Sequence, residues 1–409
     1  MEEKLREYAK LLVEIGIGLQ KGQNLVISAP VECAHFARLC AHCAYENGAR
    51  EVIMNWSDDL LSREKYLYAD ASVFDSVPAW RAAFYNDYAE EGANYLAISA
   101  SDPETLRGVD PDRLLRAQQS SAKALDPFYR RQMQNGFAWC IASVPIPSWA
   151  KKVFPDCEEA AATARLWDAI FEAVRITGDG SAVDAWRAHL ATLDARKEKL
   201  NALRLRSLHY QNALGTDLTI ALPEGHLWAS GAGKTPAGQS FIANMPTEEI
   251  FTAPQKNGVN GVVYAAKPLV ENGNIIEDFY FVVKDGRIEE FHAKRGEEFL
   301  RAALDADEGA RYFGEVALVP YDSPISNQNL LYFNTLFDEN ASCHLAFGEA
   351  YGECLAGGTE MSREELQEHG LNYSIAHCDF MIGTRDLQIT GETADGKTVE
   401  IFKGGNFAI

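Results

Sequence analysis

In Ser374–Gly383, SIAHCDFMIG, a histidine and an aspartate stand two positions apart in an apolar run. In an extended chain alternate side chains share a face, so His377 and Asp379 project to one side and Cys378 and Phe380 to the other. Both members of the first pair are metal-ligand types. A buried carboxylate is costly unless it is paired, hydrogen-bonded or bound to a cation, so the pair needs partners from elsewhere in the chain. Acidic groups with apolar neighbours recur in three further stretches. FIANMPTEEIFTAP carries Glu248 and Glu249, YFGEVALVP carries Glu315, and LFDENASCHLAFGEAYGE carries Asp338, Glu339, His344, Glu349 and Tyr351. On a two-residue alternation Glu315 shares its face with Ala317 and Val319, and an inward face would bury the carboxylate. The same holds for Glu249 beside Ile250 and Phe251.

Several inward carboxylates and two histidines in one domain repel and desolvate one another unless cations intervene, and divalent ions favour such oxygen and nitrogen sets. A metal centre is the economical reading. The alternative on local pattern alone, of equal weight, has Glu315 and Asp379 capping or salt-bridging at strand ends and both histidines hydrogen-bonded in the core. No C-x-x-C pair matches a structural zinc site, and H-E-x-x-H is absent from the sequence. The candidates outnumber what one tetrahedral ion can use, which favours a two-metal hydrolytic site over a structural one.

The elements that must position these groups fall into two grammars. Up to about residue 203, NLVISAP, REVIMNW, NYLAISA and FAWCIASVP read as buried strands between amphipathic helical segments. This predicts an α/β domain over residues 1–203 with a mostly parallel sheet. No glycine-rich phosphate loop follows any of these strands, which argues against nucleotide binding. Residues 204–409 change to short strands and turns, with hairpins at Asp285-Gly286 and Asp395-Gly396, and predict a β-rich α+β metal-binding domain.

The 409 residues, 47% hydrophobic, suffice for two cores. A formal charge of −21 argues against nucleic acid or an anionic membrane as partner. No apolar run reaches the roughly 20 residues of a membrane span, and MEEKLREYAKLLVEIG reads as an amphipathic helix rather than a signal peptide, so a cytoplasmic location is expected. Eight cysteines in so long a chain read as thiols, not a disulfide framework. The cluster Cys33, His35, Cys40, His42 and Cys43 resembles a zinc site only at first sight. On one helix Cys33, Ala37, Cys40 and Ala44 form a small apolar stripe, and residues two apart diverge.

With these blocks in view, the chain resembles the thermophilic-type metalloaminopeptidase family. The resemblance runs over nearly the whole length and is carried by LGTDLTIALPEGHLWASG, FIANMPTEEIFTAP, YFGEVALVP, LYFNTLFDENASCHLAFGEAY and AHCDFMIG, in the family order. It implies a cytoplasmic, homodimeric exopeptidase that releases N-terminal residues from peptides with a free N-terminus, using two divalent metal ions per chain. The family's ligand positions fall on Glu249, Glu315, Glu339, His344, His377 and Asp379, with Glu315 as the bridge, and Tyr351 matches a tyrosine at the centre. In the mechanism expected of such a site Tyr351 donates to the oxyanion, and Glu248 or Glu339 takes the water's proton. Zinc, cobalt and manganese all suit oxygen-rich ligation with two histidines. Glu349, Glu353 and Glu224 are candidate counter-charges for the substrate amine, while His226 and Trp228 either line the site or form a turn around a packed tryptophan. The competing functions are an amidohydrolase acting on a non-peptide amide and a non-catalytic peptide- or metal-binding protein.

Overall fold

The computed structural model describes residues 1–271 and 274–409. The chain forms two compact units, Met1–Ala188 with Ala232–Pro246, and His189–Gly231 with Thr247–Ile409. The composition shift near residue 203 coincides with the end of the long helix Ala182–Leu203. Contacts change hands inside that helix, and residues 232–246 return to the first unit. No helix among the described residues is long and apolar enough to cross a membrane.

In the first unit, strands β1 (Asn24–Pro30), β2 (Glu51–Ser57), β3 (Asn94–Ser99) and β4 (Trp139–Ser143) pair in parallel. A two-residue strand, β5 (Asn244–Met245), joins β4, also in parallel, giving the order β5-β4-β3-β1-β2. Leu25, Val26 and Ile27 of β1 are all fully buried, the run of apolar residues expected where helices cover both faces of a parallel sheet. The cysteine-bearing helix Ala34–Glu46 buries Ala37, Cys40 and Ala44, with Cys33 just before it. Its histidines point away, His35 to Glu2 at 3.4 Å and His42 to Glu46 at 3.3 Å. Burial pushes the Cys33 thiol up to about 12 and Cys40 well above its ordinary value, so both are protonated apolar side chains.

The second unit is built on antiparallel sheets. A nine-stranded sheet includes the hairpins Asn274–Lys284 with Arg287–Arg295 and Gln388–Thr393 with Thr398–Lys403. A five-stranded sheet runs in the order β9 (His377–Met381), β8 (His344–Gly348), β7 (Phe313–Leu318), β6 (Ile250–Thr252) and the edge strand Ala229–Ser230. The period-two alternation divides this smaller sheet into two unlike faces. Ile250, Val316, Leu318, Leu345, Phe347, Cys378 and Phe380 enter the main apolar core of the unit. The opposite parity carries Glu315, Ala317, His344, Ala346, Gly348, His377 and Asp379.

The register places Glu315, Ala346 and Asp379 in one row across β7, β8 and β9, and Ala317, His344 and Met381 in the next. Small side chains thus form the floor between the acidic and imidazole groups. One irregularity makes the arrangement possible. Phe313 pairs with Phe347 and Glu315 with Ala346, so Gly314 is an extra residue in β7 and forms a β-bulge. The bulge lets Phe313 enter the core while Glu315, two residues on, faces the other way. Only glycine fits there, because a Cβ at 314 would lie 2.0 Å from the Glu349 carbonyl oxygen.

Candidate metal centre

Four of the six ligand candidates sit on this face and are positioned by the ladder itself: Glu315 on β7, His344 on β8, His377 and Asp379 on β9. Glu249 immediately precedes β6, and Glu339 opens the 3₁₀ turn Glu339–Ala341 that leads toward β8. Together they form two overlapping groups, Glu249 with Glu315 and His344, and Glu315 with His377 and Asp379. Within each group one donor atom per residue lies within 4.8 Å of the others.

The interatomic distances match both imidazole–carboxylate ion pairs and ligands around a common centre. His344 Nε2 lies 3.2 Å from Glu249 Oε2 and 3.4 Å from Glu315 Oε1. His377 Nε2 lies 3.6 Å from Glu315 Oε2 and 3.4 Å from Asp379 Oδ1. Donors about 2.0–2.1 Å from one tetrahedral cation are themselves separated by about 3.3 Å, so the donor set fits a divalent ion in each group. The two oxygens of Glu315 face different histidines, which places this carboxylate in both groups.

The second ring nitrogens fix the imidazole orientation. His344 Nδ1 donates to the carbonyls of Glu339 (2.9 Å) and Ser342 (3.1 Å), and His377 Nδ1 donates to the Glu349 carbonyl at 2.9 Å. Carbonyls only accept, so both Nδ1 atoms carry hydrogen and both Nε2 atoms are turned toward the carboxylates, as metal-ligating imidazoles require.

Without cations the group is electrostatically tense. Burial drives the Glu315 carboxyl upward, and Asp379 and Glu249 add to the rise against the pull of His344 and His377. Glu339 is pushed well above the usual carboxylate range, first by burial and then by Asp379 and Glu249. Burial disfavours the His377 imidazolium, but Asp379 and Glu315 outweigh it and push the group up to about 10. Burial likewise opposes a charged His344, and Glu249 and Glu315 raise it well above its ordinary value. Asp379 ends below its usual range because His377 and His344 overcome the effect of burial. Metal-free protein therefore holds protons where a metal centre holds cations.

Glu339 is buried and interacts electrostatically with Asp379, Glu249, His344 and Glu315, although it is in neither group; its Oε1 accepts from Asn340 Nδ2 at 3.3 Å. Tyr351 packs edge-on against His377, ring centres 4.9 Å apart. Burial and the charges of Glu315, Asp379, Glu339 and Glu249 hold its phenol protonated, a hydrogen-bond donor at the cluster's edge. Glu248 is also buried, with its carboxylate 3.6 Å from His189 Nε2 and in neither group. Glu349 Oε2 accepts the Ser374 backbone N–H at 2.7 Å, and burial raises this acid to about 7. Glu224 is exposed on the surface. Trp228 is a core residue, and His226 Nδ1 donates to the Pro223 carbonyl at 3.1 Å. The two groups differ in access: the His344 side chain is 1% exposed, whereas His377 is 21% and Asp379 14% exposed. One residue that the sequence did not single out, Asn340, is fully buried beside Glu339.

Comparison with known proteins agrees over the full length. The chain is 46% identical over 406 residues to aminopeptidase AmpS of Bacillus subtilis (strain 168), covering 99% of this chain and 98% of the relative. It is 42% identical over 407 residues to aminopeptidase T of Thermus aquaticus, covering 100% of this chain and 99% of that one. The solved structure of wild-type AmpT from Thermus thermophilus superposes with a TM-score of 0.92 at 40% identity, covering 100% of both chains. The family described as thermophilic metalloprotease (M29) matches residues 1–407, and this chain belongs to it.

Proposed function

We propose that this protein is an aminopeptidase that uses two divalent ions, held by Glu249, Glu315, Glu339, His344, His377 and Asp379. The observation that carries the two-ion reading is the placement of Glu315 Oε1 and Oε2 against His344 and His377 respectively. The donor set of carboxylates and two imidazoles suits zinc, cobalt or manganese. Bound there, such ions supply Lewis acidity that activates a water and polarises the scissile carbonyl.

The chain's own residues supply orientation and proton handling. The Nδ1 bonds of both histidines lock Nε2 toward the shared carboxylate. The partly exposed His377 and Asp379 mark the side from which a peptide N-terminus approaches. Tyr351, protonated and packed on His377, donates a hydrogen bond to the oxyanion as the carbonyl is attacked. The water's proton passes to Glu339, which lies among the cluster carboxylates, or to Glu248, which adjoins Glu249 and faces His189, and then to the leaving amine. Acidic groups around the centre favour a substrate that carries a free ammonium. A homodimer in the cytoplasm completes this reading and rests on the family resemblance.

The test is hydrolysis of leucine p-nitroanilide by metal-stripped protein reloaded separately with zinc, cobalt or manganese, with the N-acetylated substrate in parallel. Metal-restored cleavage of the free-amine substrate alone is expected. Equal cleavage of the acetylated substrate points instead to a broader amidohydrolase, and binding of metal without turnover points to a non-catalytic role.

A further inference from the structure

Sheet register sets the spacing of Glu315, His344, His377 and Asp379, but it does not set that of Glu249 or Glu339. Glu249 precedes its strand, and Glu339 lies in a 3₁₀ turn. Something else must hold these two arms at the cluster. We propose that Asn340 is a positioning residue of the metal centre, its buried carboxamide tying the Glu249 arm to the Glu339 arm.

Asn340 is 0% exposed, and both ends of its amide are engaged. Oδ1 accepts the backbone N–H of Glu248, the residue next to Glu249, at 2.8 Å. Nδ2 donates to the Leu336 carbonyl at 3.0 Å and to Glu339 Oε1 at 3.3 Å. The Glu248 N–H can only donate and the Leu336 carbonyl can only accept, so the amide has one permitted orientation. The bond to Leu336, four residues back, fastens the side chain to its own helical turn. From that anchor one end reaches across 92 residues of sequence to the Glu249 arm. The other end occupies one oxygen of Glu339 and leaves Oε2 as the oxygen without that donor. A hydrogen bond to a buried carboxylate is charge-assisted, and partners of this kind typically change metal affinity by about 10–100-fold when removed.

Aspartate at this position has nearly the same shape and still accepts the Glu248 N–H, but it has no donor for Glu339 and sets a second carboxylate against the first. Serine adds no charge and is too short to span both arms. The inference rests on Glu249 and Glu339 being ligands, so the experiment separates the two ideas. Zinc is titrated calorimetrically into metal-stripped full-length wild type, Asn340→Asp, Asn340→Ser and Glu249→Gln. Thermal midpoints of the metal-free and reloaded proteins, and kcat and KM on leucine p-nitroanilide, are measured alongside.

For both Asn340 variants the zinc Kd is expected to weaken by about 10–100-fold. The metal-free midpoint should drop, because buried partners of the amide are left unpaired, and the metal-loaded midpoint should drop further, so that the metal-dependent rise shrinks, and kcat should fall more than KM changes. If Asn340→Asp does not fold, Asn340→Ser carries the same comparison. Zinc affinity within about twofold of wild type in the folded variants overturns the proposal. So does an equal drop in the metal-free and metal-loaded midpoints, which is the signature of mere fold support. Undiminished zinc binding by Glu249→Gln overturns the ligand assignment, and this inference with it.

Discussion

Replacing Glu315 with glutamine tests the sharing of one carboxylate between two ligand groups. Its oxygens lie 3.4 Å from His344 Nε2 and 3.6 Å from His377 Nε2, and it is the residue common to both groups. Glutamine keeps the shape but has a single acceptor oxygen and an NH₂ that cannot ligate, and it removes a charge from both groups. Glu315→Gln should therefore purify without stoichiometric metal, whereas Glu249→Gln and Asp379→Asn, each in one group, should keep about one ion per chain. Stability gives a second reading. An ion at 100 times its Kd contributes about 2.7 kcal/mol, so two contribute about 5.4 kcal/mol. For a domain of about 150–250 residues, at about 2–4 °C per kcal/mol, reloading should raise the wild-type midpoint by about 11–22 °C. The single-group variants should show about half that rise, and Glu315→Gln none. Elemental analysis by mass spectrometry and scanning calorimetry, each with and without chelator, measure both quantities. One full ion per chain in Glu315→Gln, with half the wild-type rise, would refute the sharing of this carboxylate.

Further outcomes follow from the same geometry. His377, raised to about 10, keeps its proton at pH 7 in metal-free protein and must release it to ligate. Metal uptake should thus liberate protons, seen as a buffer-dependent heat, and affinity should climb as pH rises toward 10; uptake without proton release contradicts this. The folded-state value lies above the ordinary 6.5, so the stabilisation from the charged His377 pair is complete below about pH 6.5 and lost as pH rises toward 10. Urea unfolding of metal-free protein across that window checks the sign. Tyr351→Phe should retain its metal and KM while kcat drops about 10²–10³-fold, the usual loss for one oxyanion donor; an unchanged kcat removes Tyr351 from the mechanism. Glu248→Gln, if this acid relays the proton, should lose the acidic limb of the pH–rate profile with metal content intact, and an unaltered profile assigns the relay to Glu339.

Much of the candidate site was legible because strand alternation holds along β8 and β9 and through β7 after Gly314. SIAHCDFMIG sends His377 and Asp379 to one face and Cys378 and Phe380 toward the core, as its pattern requires. The cysteine cluster was equally readable, since helical spacing alone separates Cys33 and Cys40 from His35 and His42. What stayed hidden depends on long-range partners. Strand β5 is two residues long, too short to leave a period, and its pairing with β4 cannot be read from local pattern. Asn340 in DENAS looks like any turn residue until the Glu248 N–H is found against it. The identical types of Glu248 and Glu249 conceal their different surroundings, His189 for one and His344 for the other.

The bulge at Gly314 also has a consequence for how substitutions along β7 will be tolerated. Before it, the odd-numbered Phe313 belongs to the core; after it, the even-numbered Val316 and Leu318 do, and the odd-numbered Glu315 and Ala317 line the face of the proposed metal centre. A saturation scan of this strand should show tolerance for apolar exchange that slips phase by one residue at 314. Deleting Gly314 would make Phe313 and Glu315 neighbours, which an unbroken alternation already sends to opposite faces, so both should keep their places. Any larger residue at 314 would instead press its Cβ to 2.0 Å from the Glu349 carbonyl oxygen and disturb the strand that presents Glu315.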